Sequence, residues 1–346
     1  MNSSTAKYLG FRMPAEWEKH EAIWMPWPYD LDSFPNLRET EEEVSEFIKE
    51  IHNNERVEFL VLNEETKQRA SGILEKKGVD LERIRFHLID YTNAWMRDCG
   101  AIFVVNKDGQ LAVTRWLFNS WGNKYPELLK DGKIPDYLIR FLKLPAFETG
   151  IVMEGGSIEV NGAGTLITTE QCLLNKSRNP NLTKPQIEKY LSDYLGVRNF
   201  IWLKQGIEGD DTDGHIDDIA RFVNPTTVLC AVPDDEGDKD YKPLKENFDI
   251  LSSSLDQNGN PLRVVKLPTP GWVGESGRRL PASYANFYIS NKKVLVPIFG
   301  AKNDEKALAV IQSVFPDRKV VGLGAYNLVF GFGTFHCMSL QQPSVF

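Results

Sequence analysis

The chain has 346 residues, is 42% hydrophobic and carries 8 Trp, 11 Tyr and 19 Phe, which is ample material for a large core and excludes a disordered chain. A formal net charge of −8 argues against nucleic acid or anionic membrane as partner and suits a cationic ligand. Four cysteines in so long a chain are no disulfide framework, the first residues lack a signal-peptide core, and the longest apolar runs are strand-length, so a cytoplasmic, reduced protein is expected.

In chain order, an acidic helix is expected near Leu37–Asn53, then a strand at Val57–Val61 and a helix from about Glu64. Strands at Ala101–Val105 and Leu111–Trp116 precede a helix from about Pro135; a strand at Thr165–Thr169 precedes a helix from about Lys184, with Ile187, Leu191, Tyr194 and Leu195 on one face. Strands at Ile219–Val223 and Thr226–Val232 lead to a helix from about Pro243, where Leu244, Phe248, Leu251 and Leu255 share a face. Strands at Arg263–Leu267, Ala285–Ser290 and Lys293–Ile298 follow. The last helix is expected to be capped by Asn303, with Leu308, Ile311 and Phe315 on its buried side. The helix starts from Glu64 to Asn303 average about 60 residues apart, longer than solenoid periods. Five units of several strands and one helix point to a cyclic α/β repeat, with Leu37–Asn53 outside the series. No Pro-, Gly- or Ser-rich linker divides the chain, so residues 1–346 are expected to form one domain.

Four segments carry candidate chemistry. Cys99, Cys172 and Cys230 lie beside or within apolar runs, and for Cys172 and Cys230 a buried structural role is favoured. Cys337 differs, because Gly331 and Gly333 just before it allow close ligand approach. A nucleophilic thiolate needs exposure and an electropositive neighbourhood, and local sequence leaves nucleophile and structural cysteine both open. The segment Glu208–Asp218 sets six carboxylates around His215. His215 interrupts any calcium-type ligand spacing, and the five histidines of the chain include no i, i+3 or i, i+4 pair for zinc. A cation-binding catalytic loop is the remaining functional option, with His215 and Asp217 on one side of an extended segment. Trp95–Gly100 and Met153–Ser157 each place a carboxylate, Asp98 and Glu154, at a strand mouth. Gly162–Ala163–Gly164 lacks the rest of a dinucleotide fingerprint, and no Gly-x-Ser-x-Gly elbow is present.

Together, Trp95–Asp98, Glu154–Gly156, Asp211–Asp217 and Gly331–Cys337 resemble the agmatine deiminase and bacterial peptidylarginine deiminase family of the guanidino-modifying (pentein) superfamily. Family-like stretches at Met13–Pro28, Phe118–Tyr125, Pro281–Gly300 and Gln341–Pro343 extend the likeness over nearly the whole chain. The resemblance implies a five-bladed α/β propeller of ββαβ-type repeats around a central site, in a hydrolase without cofactor or metal. It implies Cys337 as nucleophile, His215 as general acid/base and Glu154 as the carboxylate orienting that histidine. Asp98 and Asp217 match the pair that grips the guanidinium, and Trp95 a wall of the pocket. The implied partner is a small cationic guanidino substrate, foremost agmatine for putrescine and polyamine synthesis, and a homo-oligomer is common among such proteins. Phe332, where glycine is common in close agmatine deiminases, and Ser339–Leu340, where Thr-Gln is usual, bear on substrate preference. Deimination of free or peptidyl arginine, amidino transfer and non-catalytic guanidino binding remain the alternatives.

Overall fold

The computed structural model describes residues 5–345 of a mixed α/β protein. Capping and periodicity set the helices. The Thr183 backbone N–H donates to the Gln186 side chain at 2.8 Å, Pro185 sits in the first turn, and Gly196 ends the helix Lys184–Leu195 in the left-handed region at φ 71°. Ile187, Leu191 and Leu195 are buried against the strand residues Leu166 and Trp202. Central strands are buried along their whole length, as at Thr165–Thr169 and Thr227–Ala231, which is why their sequences run without polar alternation.

One pattern recurs in five sheets: an antiparallel strand pair, a helix, and a strand returning parallel to the second of the pair. Ile102–Val105 and Leu111–Leu117 are followed by helix Ile134–Leu142 and strand Ala146–Val152. Ile158–Val160 and Thr165–Thr169 are followed by Lys184–Leu195 and Asn199–Leu203. Ala220–Asn224 and Thr227–Ala231 are followed by Tyr241–Ser253 and Arg263–Leu267. Tyr288–Ile289 and Lys293–Ile298 are followed by Asp304–Val314 and Lys319–Gly324. The remaining sheet takes its first strand from the far end of the chain, Leu340–Pro343, antiparallel to His20–Pro26. Helix Leu37–Ile51 then leads to Arg56–Val61, and Glu64–Lys76 to an added fourth strand, Ile84–Leu88.

This topology corrects the expected series. Leu37–Ile51 is the crossover helix of its sheet, and the Glu64 helix is the addition. Three local expectations also change. Ala285–Ser290 pairs only at Tyr288–Ile289, because the Ala285 and Phe287 carbonyls accept from Arg221 and the Ile289 N–H donates to Glu16. Leu255 lies beyond the helix end at Ser253 and is 49% exposed. Asn303 donates to the Thr269 carbonyl instead of capping, while the Asp304 carboxylate accepts from Ala301 N–H. Among the described residues no helix is long and apolar enough to cross a membrane.

Apolar clusters fill the space between helices and sheets, whereas a charged cluster joins the units. Arg221, with no exposed surface, donates to Glu16 Oε2 at 2.6 Å, to Glu159 Oε2 at 3.1 Å and to the carbonyls of Ala285 and Phe287. His336 bridges Glu16 Oε2 at 2.8 Å and Asp217 Oδ2 at 2.7 Å. Burial opposes the charge on Glu16, but Arg221, His336 and Arg97 outweigh it and hold the carboxyl far below its usual range. Replacing one partner strands the other charges. Arg221→Met is therefore expected to destabilise the fold by about 3–5 kcal/mol in urea unfolding, and a loss below about 1 kcal/mol would deny the cluster a structural role.

Candidate active site

The segment before Cys337 is shaped by its glycines. A Cβ on Gly333 would lie 2.8 Å from both the Cys337 Cβ and the Trp95 ring, so only glycine lets this turn pass between them. Phe332 adopts φ 73° without being glycine, at a cost on the order of 1 kcal/mol, with the Arg278 guanidinium 4.5 Å from its ring centroid. Cys337 Sγ receives an N–H from Asn286 Nδ2 at 3.0 Å and faces Asp217 Oδ2 at 3.5 Å. Only 4% of Cys337 is exposed. Burial, then Asp217, Asp218 and Asp98, push its thiol well above the ordinary value. The expected electropositive setting is thus absent: tertiary folding brings carboxylates to the sulfur.

His215 ends the acidic loop. Asp210 accepts from the backbone N–H groups of Thr212, Gly214 and His215, and Arg178 reaches the Thr212 carbonyl at 2.8 Å and the Asp213 carboxylate. His215 then precedes a single 3-10 turn, Ile216–Asp218, rather than lying in an extended strand. The turn still brings His215 and Asp217 together, since a Cβ on Gly156 would lie 2.6 Å from His215 Nδ1, 2.7 Å from Asp98 Oδ1 and 3.2 Å from Asp217 Oδ2. Gly156 is therefore the space in which three candidate side chains meet. Burial disfavours a charged His215, but Asp98, Cys172 and Glu154 together hold its pKa well above the usual imidazole value.

Asp98 leaves a single helical turn, Met96–Cys99. It accepts from Trp121 Nε1 at 2.9 Å and Gly156 N–H at 3.0 Å, 3.6 Å from His215 Nδ1. Burial foremost, with Asp217 and Glu154, raises it from 3.8 to about 6, although His215 pulls the other way. Burial also opposes charge on Asp217, but the bond from His336 holds it below the usual carboxylate range. Glu154 departs from expectation: its Oε1 accepts from Arg178 Nε at 2.9 Å, and it makes no hydrogen bond to His215. Its carboxylate, the Cys172 sulfur and a His215 ring nitrogen nevertheless lie within 4.8 Å of one another, so Cys172 is at the site. Asp217, Asp218 and Cys337 form a second such triplet. Arg178 already occupies one oxygen of Glu154, and Asn286 donates to the sulfur.

Among the described residues, Glu154 Oε2, Asp217 Oδ1 and both His215 ring nitrogens are buried without a hydrogen-bond partner, a costly state for polar groups. Cys337, 3.5 Å from Asp217, and Asp98, 3.6 Å from His215 Nδ1, lie on the wall of a cavity of about 290 Å³ lined also by Trp95, Trp121, Tyr29, Tyr125 and Phe332. Trp95 lies on the cavity wall. Arg178, Asn286, Asp218 and His336 were not foreseen. Only adjacency to Asp217 and Cys337 hinted at the last two, and nothing local marks Arg178 or Asn286.

Buried acceptors lacking donors, aromatic walls and a cavity-lining thiol define the class: a cysteine-bearing site for a small organic cation. Residues 12–343 match the family model described as Porphyromonas-type peptidyl-arginine deiminase, and the chain belongs to that family. A putative agmatine deiminase of Legionella pneumophila (strain Philadelphia 1) is 39% identical, covering 99% of this chain and 98% of its own. One from Mycoplasma mycoides is 37% identical, with 99% and 98% covered. The solved agmatine deiminase of Enterococcus faecalis superposes with a TM-score of 0.92 at 33% identity, covering 99% of both chains.

The raised Asp98 makes a stability prediction. Its folded pKa lies above the unfolded 3.8, so its contribution is fully present below pH 3.8 and is lost as pH rises through about 6. Between pH 4 and 7 the wild type is expected to lose on the order of 2–3 kcal/mol relative to Asp98→Asn in urea melts. A pH-independent difference would mean that Asp98 ionises in the fold without penalty.

Proposed function

We propose that this protein is an agmatine deiminase, hydrolysing agmatine to N-carbamoylputrescine and ammonia through an S-amidino adduct on Cys337. One observation carries the proposal: Asp217 keeps a buried, unpartnered Oδ1 beside Asp98 and the Cys337 sulfur, and Glu154 keeps an unpartnered Oε2 near His215. A guanidinium is planar, permanently charged and rich in N–H donors, and so suits acidic acceptors around its edge. Asp98 and Asp217 grip it and fix its plane, bringing its central carbon to the sulfur. The substrate's charge also answers the raised thiol, because it neutralises the carboxylates that favour S–H over thiolate.

As the cation binds, Cys337 loses its thiol proton to solvent, and the thiolate adds to the guanidinium carbon, giving a tetrahedral adduct. His215, protonated at neutral pH, gives its proton to one amino nitrogen, and the C–N bond breaks to release ammonia. Water then attacks the S-amidino carbon while the now neutral His215 takes one of its protons; the C–S bond breaks to free the thiolate, and the remaining hydroxyl proton passes to solvent, leaving the neutral ureido product. Glu154 acts on His215 through charge rather than through a hydrogen bond, with Arg178 as its anchor. The product carries no charge, which favours release from the acidic site.

Agmatine is favoured over arginine because Asp30, Asp32, Glu127 and Asp211 line the same cavity. A distal ammonium is attracted there, whereas an α-carboxylate is repelled. The aromatic walls suit an alkyl spacer. We further read the five ββαβ units as blades of a five-bladed propeller in one domain, closed by the pairing of Leu340–Pro343 with His20–Pro26.

A product assay with agmatine, free arginine and an arginine peptide tests the substrate: ammonia and ureido product are expected from agmatine, and release from arginine alone would overturn it. Cys337→Ala is expected to lower kcat on the order of 10⁴-fold or more with Tm unchanged; retained turnover would reject the covalent route. Asp98 must be ionised to hold the cation, so kcat/KM should fall as pH drops below about 6. A flat acid limb would remove Asp98 from substrate capture.

A further inference from the structure

Behind the sulfur lies a side chain that the reaction scheme leaves unused. Asn286 is 1% exposed and belongs to the segment before Tyr288–Ile289. Its Oδ1 accepts from Thr334 Oγ1 at 2.8 Å, Thr334 N–H at 3.2 Å and Cys337 N–H at 3.3 Å. These donors decide which end of the amide is oxygen, since a flipped amide would set its NH₂ against them. Nδ2 therefore points the other way, 3.0 Å from Cys337 Sγ and 3.0 Å from Asp218 Oδ1. Both amide protons are directed, one to the sulfur and one to the carboxyl.

We propose that Asn286 is a further catalytic group, donating to the Cys337 sulfur and favouring its thiolate, and that Asp218 is the residue that positions the amide. This rests on Cys337 as the nucleophile. Among the described residues Asn286 is the hydrogen-bond donor to that sulfur, whereas burial foremost, then Asp217 and Asp218, favour the neutral thiol. A hydrogen bond to an anion is stronger than one to its neutral form, so the amide favours S⁻ over S–H. It acts twice: on the attacking thiolate, and again on the thiolate released when the C–S bond of the adduct breaks. Asn286 also holds the Cys337 backbone, which fixes the direction from which the sulfur approaches.

Asp218 suits its part because its ionised form is disfavoured. Burial foremost, with Asp217 and Asp210, pushes its carboxyl well above the usual range, and its backbone carbonyl is tied to Ser283 Oγ at 2.7 Å. A carboxyl shifted toward its neutral form still accepts the amide N–H through its carbonyl oxygen, and it adds less negative charge beside the thiolate than a fully ionised one.

The test reads the sulfur without turnover, as the pH dependence of Cys337 alkylation by iodoacetamide, followed by peptide mass spectrometry. Asn286→Ala is expected to raise the midpoint by about one pH unit or more and to lower kcat on the order of 10–100-fold, with KM for agmatine changed less than about threefold. Asn286→Asp, nearly isosteric but lacking the donor, should do the same and covers the case in which the alanine variant fails to fold. Asp218→Ala should raise the midpoint too, whereas Asp218→Asn, a neutral acceptor of the same shape, should keep it within about half a unit. A lowered Tm with an unmoved midpoint in both Asn286 variants would overturn the proposal and leave a structural amide. If Cys337→Ala stays active, the nucleophile assignment falls, and the midpoint shift still reports on the Asn286–sulfur bond.

Discussion

Everything in this protein depends on carboxylates that folding drives into one dry place. Asp98, Glu154, Glu159, Asp217, Asp218 and Glu16 are all buried, and mutual repulsion at low dielectric would expel them unless each had a partner. The chain Asp217–His336–Glu16–Arg221–Glu159 supplies partners through contacts of 2.6–3.1 Å. It draws on residues from the first sheet's approach, two inner sheets and the end of the chain. The same bonds that make the charges tolerable thus join the sheets. Arg178 does for Glu154 and the acidic loop what Arg221 does for the centre.

The compensation stops short at the cavity. Asp98 is left with two N–H donors and a histidine 3.6 Å away, and its pKa rises to about 6 in consequence. Glu154 and Asp217 each keep one oxygen without a protein donor. This unbalanced negative charge destabilises the free protein, and under the proposed function a bound guanidinium relieves it. Stability is lost locally so that binding energy is concentrated where a guanidinium's N–H groups would point. The rigid surroundings make this possible: buried strands and glycine-dependent turns at Gly156 and Gly333 leave the acids no route to relax toward solvent.

Much of the outline was legible in one dimension. Helix starts at Glu64, Lys184 and the Asn303 region, and strands Thr165–Thr169, Arg263–Leu267 and Lys293–Ile298, agree with the sequence pattern. Local propensity and burial agree there. The pattern failed where backbone groups serve the centre instead of a ladder, as in Ala285–Ser290, whose carbonyls go to Arg221. It also assigned the wrong helix to the first unit, because the strand that completes that sheet arrives more than 300 residues later.

For the site, sequence determined the chemical inventory: one cysteine in a glycine-shaped turn, one histidine among acids, and the carboxylates of Asp98, Glu154 and Asp217, with a family likeness joining them. Tertiary structure alone decided their electrostatics. Whether Cys337 is acidic or basic, whether Glu154 bonds His215 or Arg178, and whether Asn286 reaches the sulfur are matters of distances between residues tens to hundreds of positions apart. A residue type fixes which protons and charges are available. Only packing fixes the dielectric around them and the few ångströms between them, and those two quantities set every pKa and every hydrogen bond in the site.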